Sequence, residues 1–549
     1  MAFESGVARA NSRSGSNDWM QNLTWWQRAV VYEVYPRSFQ DTDGNGVGDL
    51  AGILRRLDYL AGLGVDAIWI SPIYPSPMAD FGYDVADYCG IDPIFGAMAD
   101  FDRLLAAVHE RGMRLILDFV PNHTSSQHPW FLESRSSRTN AKRDWYLWRD
   151  EPNNWLSNFG GPGWELDEAT GQYYYHSFLK EQPDLNWRNP AVKAAMLDVL
   201  RFWLAKGVDG FRVDVMWLMI KDAEFRDNPD NPGYRPGQPE NQKHLPVYNA
   251  NRPEVHEIVA EMRRVVDGFG DRVLIGEIYL PLPQLVTYYG ADLKGANLPF
   301  NFQLLQCAWS AKALAGVIAG YDAALPTGAW PNWVLGNHDQ PRLASRVGAH
   351  QARVAAMLLL TLPGTLTIYY GEEIGMCDVK IAPEDVQDPA EKNEPGIGAG
   401  RDPERTPMPW DATPLAGFTE GLPWLPLGPD HEAVNVSVLE ADPASILHLY
   451  RRLIALRRSH AALVAGRVEA VAAEGNLLRY GSGGDGERFV VLLNLGHEEM
   501  EAGLSADGAA AVSGTIAMST CLDREGEAVR GTMRLRAAEG VIVRARSVV

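Results

Sequence analysis

Asp214 in GVDGFRVDV, Glu277 in VLIGEI and Asp339 in WVLGNHD each close an apolar, β-rich run. Packing rarely puts a carboxylate at the end of a buried strand, because an uncompensated buried charge is costly. Three such acids, delivered by three strand ends to one rim, would handle a developing positive charge. Arg212, two residues before Asp214, points to the same face of its strand, His123 stands at a further strand end, and His338 directly precedes Asp339. Glycosidic bond cleavage needs such a set: one carboxylate attacks the anomeric carbon while a protonated acid supplies the leaving oxygen with a proton. Spacing leaves the two roles open. Arg212 would keep Asp214 ionised. Glu277 follows apolar Leu274 and Ile275 with no base in its run, so it is better placed to hold a proton.

The elements that must carry these residues are legible as a repeat. Apolar runs at 30–35, 67–71, 114–119, 210–215, 273–277, 300–304, 333–336 and 366–370 alternate with helical patterns such as ADFDRLLAAVHERG and RFWLAKG. Eight strands alternating with helices predict an α/β fold, a closed (β/α)8 barrel with its site at the C-terminal strand ends. An open doubly wound sheet is disfavoured, because no glycine-rich phosphate loop follows the first strand. Residues 1–24 read as a flexible leader, and 25–121 with 187–460 as the barrel. Residues 122–186, rich in Trp, Tyr, Gly and Pro, are too long for a loop and read as an inserted B domain. A polar excursion at 218–253 should fold over the same rim. Short strands such as RFVVLLNLG predict a C-terminal antiparallel β-sandwich over 464–549.

Composition narrows the partners. A net charge of −20 over 549 residues argues against nucleic acid or an anionic membrane surface. The four cysteines are scattered without metal spacing, which favours free thiols in a reducing compartment. No apolar run is long enough to span a bilayer, and the N-terminus lacks the apolar core of a secretory signal. The expectation is a cytoplasmic enzyme, monomer or homodimer, acting on a neutral small substrate. In DTDGNGVGD, Asp41, Asp43, Asn45 and Asp49 fall at alternate positions, with Val47 between to offer a carbonyl. Hard oxygen ligands at that spacing suit a structural Ca²⁺, less often Mg²⁺. Gly52 stands where an EF-hand would have glutamate, so the loop is not a complete EF-hand, and a metal-free Asp/Gly turn is the alternative.

DFVPNHT, GFRVDV, GEIYL and NHD, in that order, resemble the signature regions of the α-amylase superfamily of glycoside hydrolases. QPDLNW at 182–187 resembles the region that marks its oligo-1,6-glucosidase and α-glucosidase branch. The resemblance runs from about Trp25 to the end of the chain and implies a barrel with a B domain after strand three and a C-terminal β domain. It implies Asp214 as nucleophile, Glu277 as proton donor and Asp339 as transition-state stabiliser, with Arg212, His123 and His338 on sugar hydroxyls. It further implies Asp80 and Tyr83 of MADFGYD as pocket acid and stacking tyrosine, and Arg405 of RTPMPW as the arginine paired with Asp80. That pair would close the pocket at one end and enforce exo action. Phe159 and Phe178 would wall the pocket. Val215, directly after the nucleophile, goes in this branch with α-1,6 preference, and α-1,4, sucrose and trehalose linkages stay open. Similar loops hold a calcium away from the site. Rival readings are a transglucosidase or isomerase using the same acids, a non-catalytic transporter heavy chain, disfavoured by the full acid set and missing anchor, and a carbohydrate-binding protein with a dead site, disfavoured on the same ground.

Overall fold

The computed structural model describes residues 23–484, 486–505 and 512–546; most of the expected leader lies outside them. Eight parallel strands make the barrel: β1 (Val30–Val34), β2 (Ala67–Ile70) and β3 (Arg114–Phe119), then, after an insertion, five more. The insertion carries a small antiparallel sheet of β4 (Trp148–Arg149), β5 (Trp164–Asp167) and β6 (Gln172–Tyr175), with β6 in the middle. The barrel resumes with β7 (Gly210–Val213), β8 (Val273–Gly276), β9 (Leu298–Pro299), β10 (Asn332–Val334) and β11 (Thr365–Tyr369). In space the order is β10, β11, β1, β2, β3, β7, β8, β9.

Strand six departs from expectation. The apolar residues at 300–304 do not extend a ladder; the strand ends at Pro299, and Gln303–Gln306 is helical. Phe300 and Phe302 instead plug the barrel lumen. No backbone ladder joins β9 to β10, and a side chain bridges that seam. Asn332 Nδ2 donates to the Pro299 carbonyl at 2.7 Å, and its Oδ1 accepts from the Asn301 N–H at 3.0 Å.

Period-two alternation builds the lumen. Val31, Ala67, Ile116, Val273, Ile275 and Val334 pack there as an apolar plug, each contributing about 1–3 kcal/mol. Tyr32 and Val34, on the other face of β1, pack against the surrounding helices. Two residues on from Val31, Ile116 and Gly210, the same inward face of each strand carries Glu33, Asp118 and Arg212, all buried. The plug is thus a dry floor beneath a charged layer. The helices are cut to length by local signals. Pro190–Lys206 starts with Asn189 accepting from Ala191 N and stops at Gly207, whose φ of 106° suits a residue without a Cβ.

Eight antiparallel strands, from Arg467–Glu474 to Gly540–Ala545, form the C-terminal domain. One face packs internally through Leu477, Leu492 and Val541, and the other joins the barrel's own core through Leu478, Tyr480 and Leu493. That explains why helix Ala349–Thr361 is apolar nearly all round: it is sandwiched between barrel and sheet.

Candidate active site

Asp214 and Glu277 each stand one residue beyond a strand, β7 and β8, and Asp339 follows β10. The chain turns sharply after Asp214: Val215 has φ 35° and ψ 46°, a left-handed conformation that strains a β-branched residue by about 1–3 kcal/mol. The turn aims the Val215 N–H at Glu277 Oε2, 2.8 Å away. The three acids line one cavity of about 320 Å³, together with Asp80, Tyr83, His123, Phe159, Phe178, Val215 and His338.

Arg212 is the hub beneath. It donates from Nη1 to Asp214 Oδ1 at 2.8 Å and to Asp118 Oδ1 at 2.9 Å, and its Nη2 lies 2.7 Å from Glu277 Oε2. Glu277 has no base in its own run, but the fold brings it the same arginine that serves Asp214. Nη2 lies close to Glu277 without an aligned hydrogen bond, whereas the bond to Asp214 is aligned. Burial pushes both carboxyls up and Arg212 opposes it in both cases. Burial lifts Asp214 the further of the two, so the ionised form on Asp214 and the proton on Glu277 rest on the aligned Arg212 bond and not on burial.

Asp339 is different. Burial would raise its carboxyl, but the guanidinium groups of Arg401 and Arg405 around it outweigh burial and hold it well below the usual range. His123 is neutral, pushed down to about 4 by burial, with Nε2 3.1 Å from the Tyr83 carbonyl. Tyr83 stacks on His338 with ring centres 5.4 Å apart. Phe178 meets the His123 ring at 5.3 Å and Phe159 at 5.2 Å, so both phenylalanines wall the cavity.

One expected pairing is corrected. Arg405 does not grip Asp80. It is fully buried outside the cavity, donating from Nε to the His338 carbonyl at 2.7 Å and from Nη2 to Asp339 Oδ1 at 2.8 Å. Arg401 holds Asp80, Nη2 to Oδ1 at 2.8 Å, and also lies 3.2 Å from Asp339 and 2.7 Å from Asp388. Its guanidinium stacks over Phe159 at 4.7 Å. The short helical turn Asp402–Arg405 separates the two arginines and sends one to the cavity and the other beneath it. GAGRDPERTPMPW shows both arginines, but nothing in their spacing says which faces the sugar.

Other residues escaped the reading of the sequence. Asp118, inside DFVPNH, anchors Arg212 and accepts from the Tyr83 hydroxyl at 3.0 Å. Trp217 and Tyr279 line the cavity, as do Asn158 of the insertion and Asn241 of the 218–253 excursion. Asn241 donates to Asn158 across the mouth at 3.3 Å.

The Asp41 loop lies apart from this cavity. Asp41, Asp43 and Asp49 each present a carboxylate oxygen within 4.8 Å of the others. Asp41 Oδ1 accepts from Asp43 N and Gly44 N, and Asp49 Oδ1 caps the following helix at Gly52 N. Asn45 Oδ1 accepts from Val47 N at 2.7 Å within the loop. Burial would raise the Asp41 carboxyl, but Thr419 and the backbone N–H groups outweigh it and hold it down, so the anion a cation needs is present.

Residues 33–466 match the family model described as alpha amylase, catalytic domain. The chain belongs to that family. It is a glycoside hydrolase. A probable α-glucosidase of Rhizobium meliloti (strain 1021) is 43% identical over 524 residues, covering 91% of this chain and 95% of that protein. An oligo-1,6-glucosidase of Parageobacillus thermoglucosidasius is 40% identical over 515 residues, covering 86% and 90%. Among solved structures, a trehalulose synthase of Pseudomonas mesoacidophila MX-45 superposes with a TM-score of 0.88 at 35% identity, covering 96% of this chain and all of that one. No helix among the described residues of this hydrolase is long and apolar enough to cross a membrane.

Proposed function

We propose that this glycoside hydrolase is an exo-acting, retaining α-glucosidase that releases glucose from the non-reducing ends of short α-glucosides, with α-1,6 linkages favoured. The observation that carries the reading is the arrangement around Arg212 and Arg401. One guanidinium reaches both Asp214 and Glu277, which supports a pair close enough for direct attack on the sugar. A second ties Asp80 to Asp339 beside the sugar-sized cavity, which supports a closed end that admits one terminal residue.

Asp214 attacks the anomeric carbon as Glu277 gives its proton to the leaving oxygen, forming a covalent glucosyl ester. Glu277, now ionised, takes a proton from water, which cleaves the ester and restores both groups. Ionised Asp339 faces the positive charge that grows on the sugar ring. Neutral His123 and His338 bind hydroxyls. The branched side chain of Val215, packed with Leu218 and Ala250, trims the space beside the scissile oxygen.

The test is proton NMR of the first-formed glucose, with initial rates on isomaltose, maltose, sucrose and trehalose. The α-anomer and a faster rate on isomaltose are expected; the β-anomer would overturn retention. The likeness to a trehalulose synthase favours glucosyl transfer as a second reading, and new oligosaccharides from concentrated disaccharide would reveal it. The Asp41 loop is proposed to hold a structural Ca²⁺ on its three clustered carboxylates. A chelator should lower Tm more than it lowers activity measured cold, and an unchanged melt would remove the metal.

A further inference from the structure

Glu33 lies outside every motif, yet it stands in the charged layer of the lumen. It is fully buried on β1, two residues past Val31 of the apolar plug. Its Oε1 is 2.5 Å from Nδ1 of His338, and its Oε2 has no hydrogen-bond partner. The far side of the imidazole decides where the protons sit. There, Nε2 of His338 lies 2.8 Å from the Tyr83 hydroxyl and 3.2 Å from Asp339 Oδ2. Asp118 Oδ2, 3.0 Å from the Tyr83 hydroxyl, is held by Arg212 Nη1 at 3.1 Å as an acceptor, so the single Tyr83 proton is assigned to it. Asp339, beside Arg401 and Arg405, is ionised and can only accept. Both neighbours of Nε2 therefore call for a donor, so Nε2 carries the N–H. A neutral imidazole protonated there has a bare Nδ1, which can lie 2.5 Å from a carboxyl oxygen only if that oxygen bears a proton.

We propose that Glu33 is a positioning residue for the reaction. Its carboxylic acid donates to Nδ1 of His338 and locks the imidazole with its N–H on Nε2, toward Asp339 and the bound sugar. The charged surroundings agree. Burial pushes the Glu33 carboxyl well up; Arg212 opposes this, while Asp339, Asp118 and Glu372 reinforce it. Burial likewise pushes His338 well down, with Arg405, Arg212 and Arg401 adding to it and Asp339 opposing, so the imidazolium is disfavoured. Tyr35 and Tyr83 pack on the two sides of the ring, at 5.7 and 5.4 Å, and supply no competing charge.

The inference rests on the glucosidase reading of the cavity, and its test separates the two. A glutamine at position 33 can donate its amide N–H to Nδ1 in the same way, whereas a leucine cannot. E33Q should keep kcat within about threefold of wild type, and E33L should lower it about 100-fold, the size of losing one preorganised donor. The wild-type minus E33Q infrared difference spectrum at neutral pH should show one protonated carboxylic C=O band that shifts in D2O. E33Q falling as far as E33L would mean that Glu33 acts as an anion, and a difference spectrum without that band would equally overturn the proposal. The band does not depend on turnover, so it stands or falls apart from the glucosidase activity, and it decides the matter even where E33L fails to fold.

Discussion

Asp209 and Asp214 flank the same four-residue strand, β7, and both are buried, yet they live in opposite circumstances. Asp209, at the N-terminal end, is saturated. His109 Nε2 lies 2.6 Å away, the Leu115 N–H donates at 2.9 Å, and Arg114 and Arg272 add contacts at 3.1 and 3.4 Å. Asp214, at the C-terminal end, takes its side-chain bond from Arg212 and opens on the cavity. A carboxylate whose lone pairs are filled by the protein holds strands together. One left partly unfilled, in a dry site with a charge below it, is free to react. Barrels separate stability from chemistry along the strand direction, and here one strand shows both ends of that rule.

The contrast can be broken most sharply by exchanging the two losses. D214N should lower kcat by about 10⁴-fold or more with Tm nearly unchanged. D209N should do the reverse, with full activity per folded molecule and a stability loss of about 2–3 kcal/mol, read as a lower Tm, because Arg114 and Arg272 lose their charged partner. Substantial turnover by D214N would remove it as nucleophile.

Next in size is the arginine that replaced the expected one. R401A frees Asp80 and opens the end of the cavity, so kcat/KM on isomaltose should fall about 100-fold. The loss should lie mainly in KM, and R405A, which removes the shorter contact to Asp339 and leaves Asp80 held, should lose kcat. Equal patterns from the two variants would dissolve the division of labour between them.

The pH profile sharpens the roles of the acids. Glu277 must hold its proton for the first step, and burial raises its carboxyl. Activity is therefore present below that raised value and falls about tenfold per pH unit as pH rises through it. E277Q, assayed on a substrate with an activated leaving group, should lose this basic limb; a limb that persists belongs to another group.

The smallest effect concerns linkage. V215T keeps the strained turn but changes a methyl for a hydroxyl, and should shift the isomaltose-to-maltose rate ratio toward maltose by about tenfold.

Much of this was legible because it is local and periodic. The strand–helix repeat, the three acids ending apolar runs, and the clustered carboxylates of the Asp41 loop are each patterns over a few residues. Strand six was misplaced because Phe300 and Phe302 read as a β run, although they cap the lumen after Pro299 ends the ladder. Arg401 and Arg405 could not be ranked, since four residues of chain can turn either one toward Asp80. Glu33 was invisible, because a glutamate inside VVYEV looks like any strand residue until its distant partner is known.

By itself the sequence determined the barrel, the identity of the acids and the chemistry they can perform, because residue type and period two act along the chain. Only the tertiary structure decided which arginine grips Asp80, that Arg212 serves both Asp214 and Glu277, and that Glu33 faces His338. Those are contacts between residues far apart in the chain, and a guanidinium or carboxyl takes its role from whatever charge the closed barrel puts within 3 Å of it.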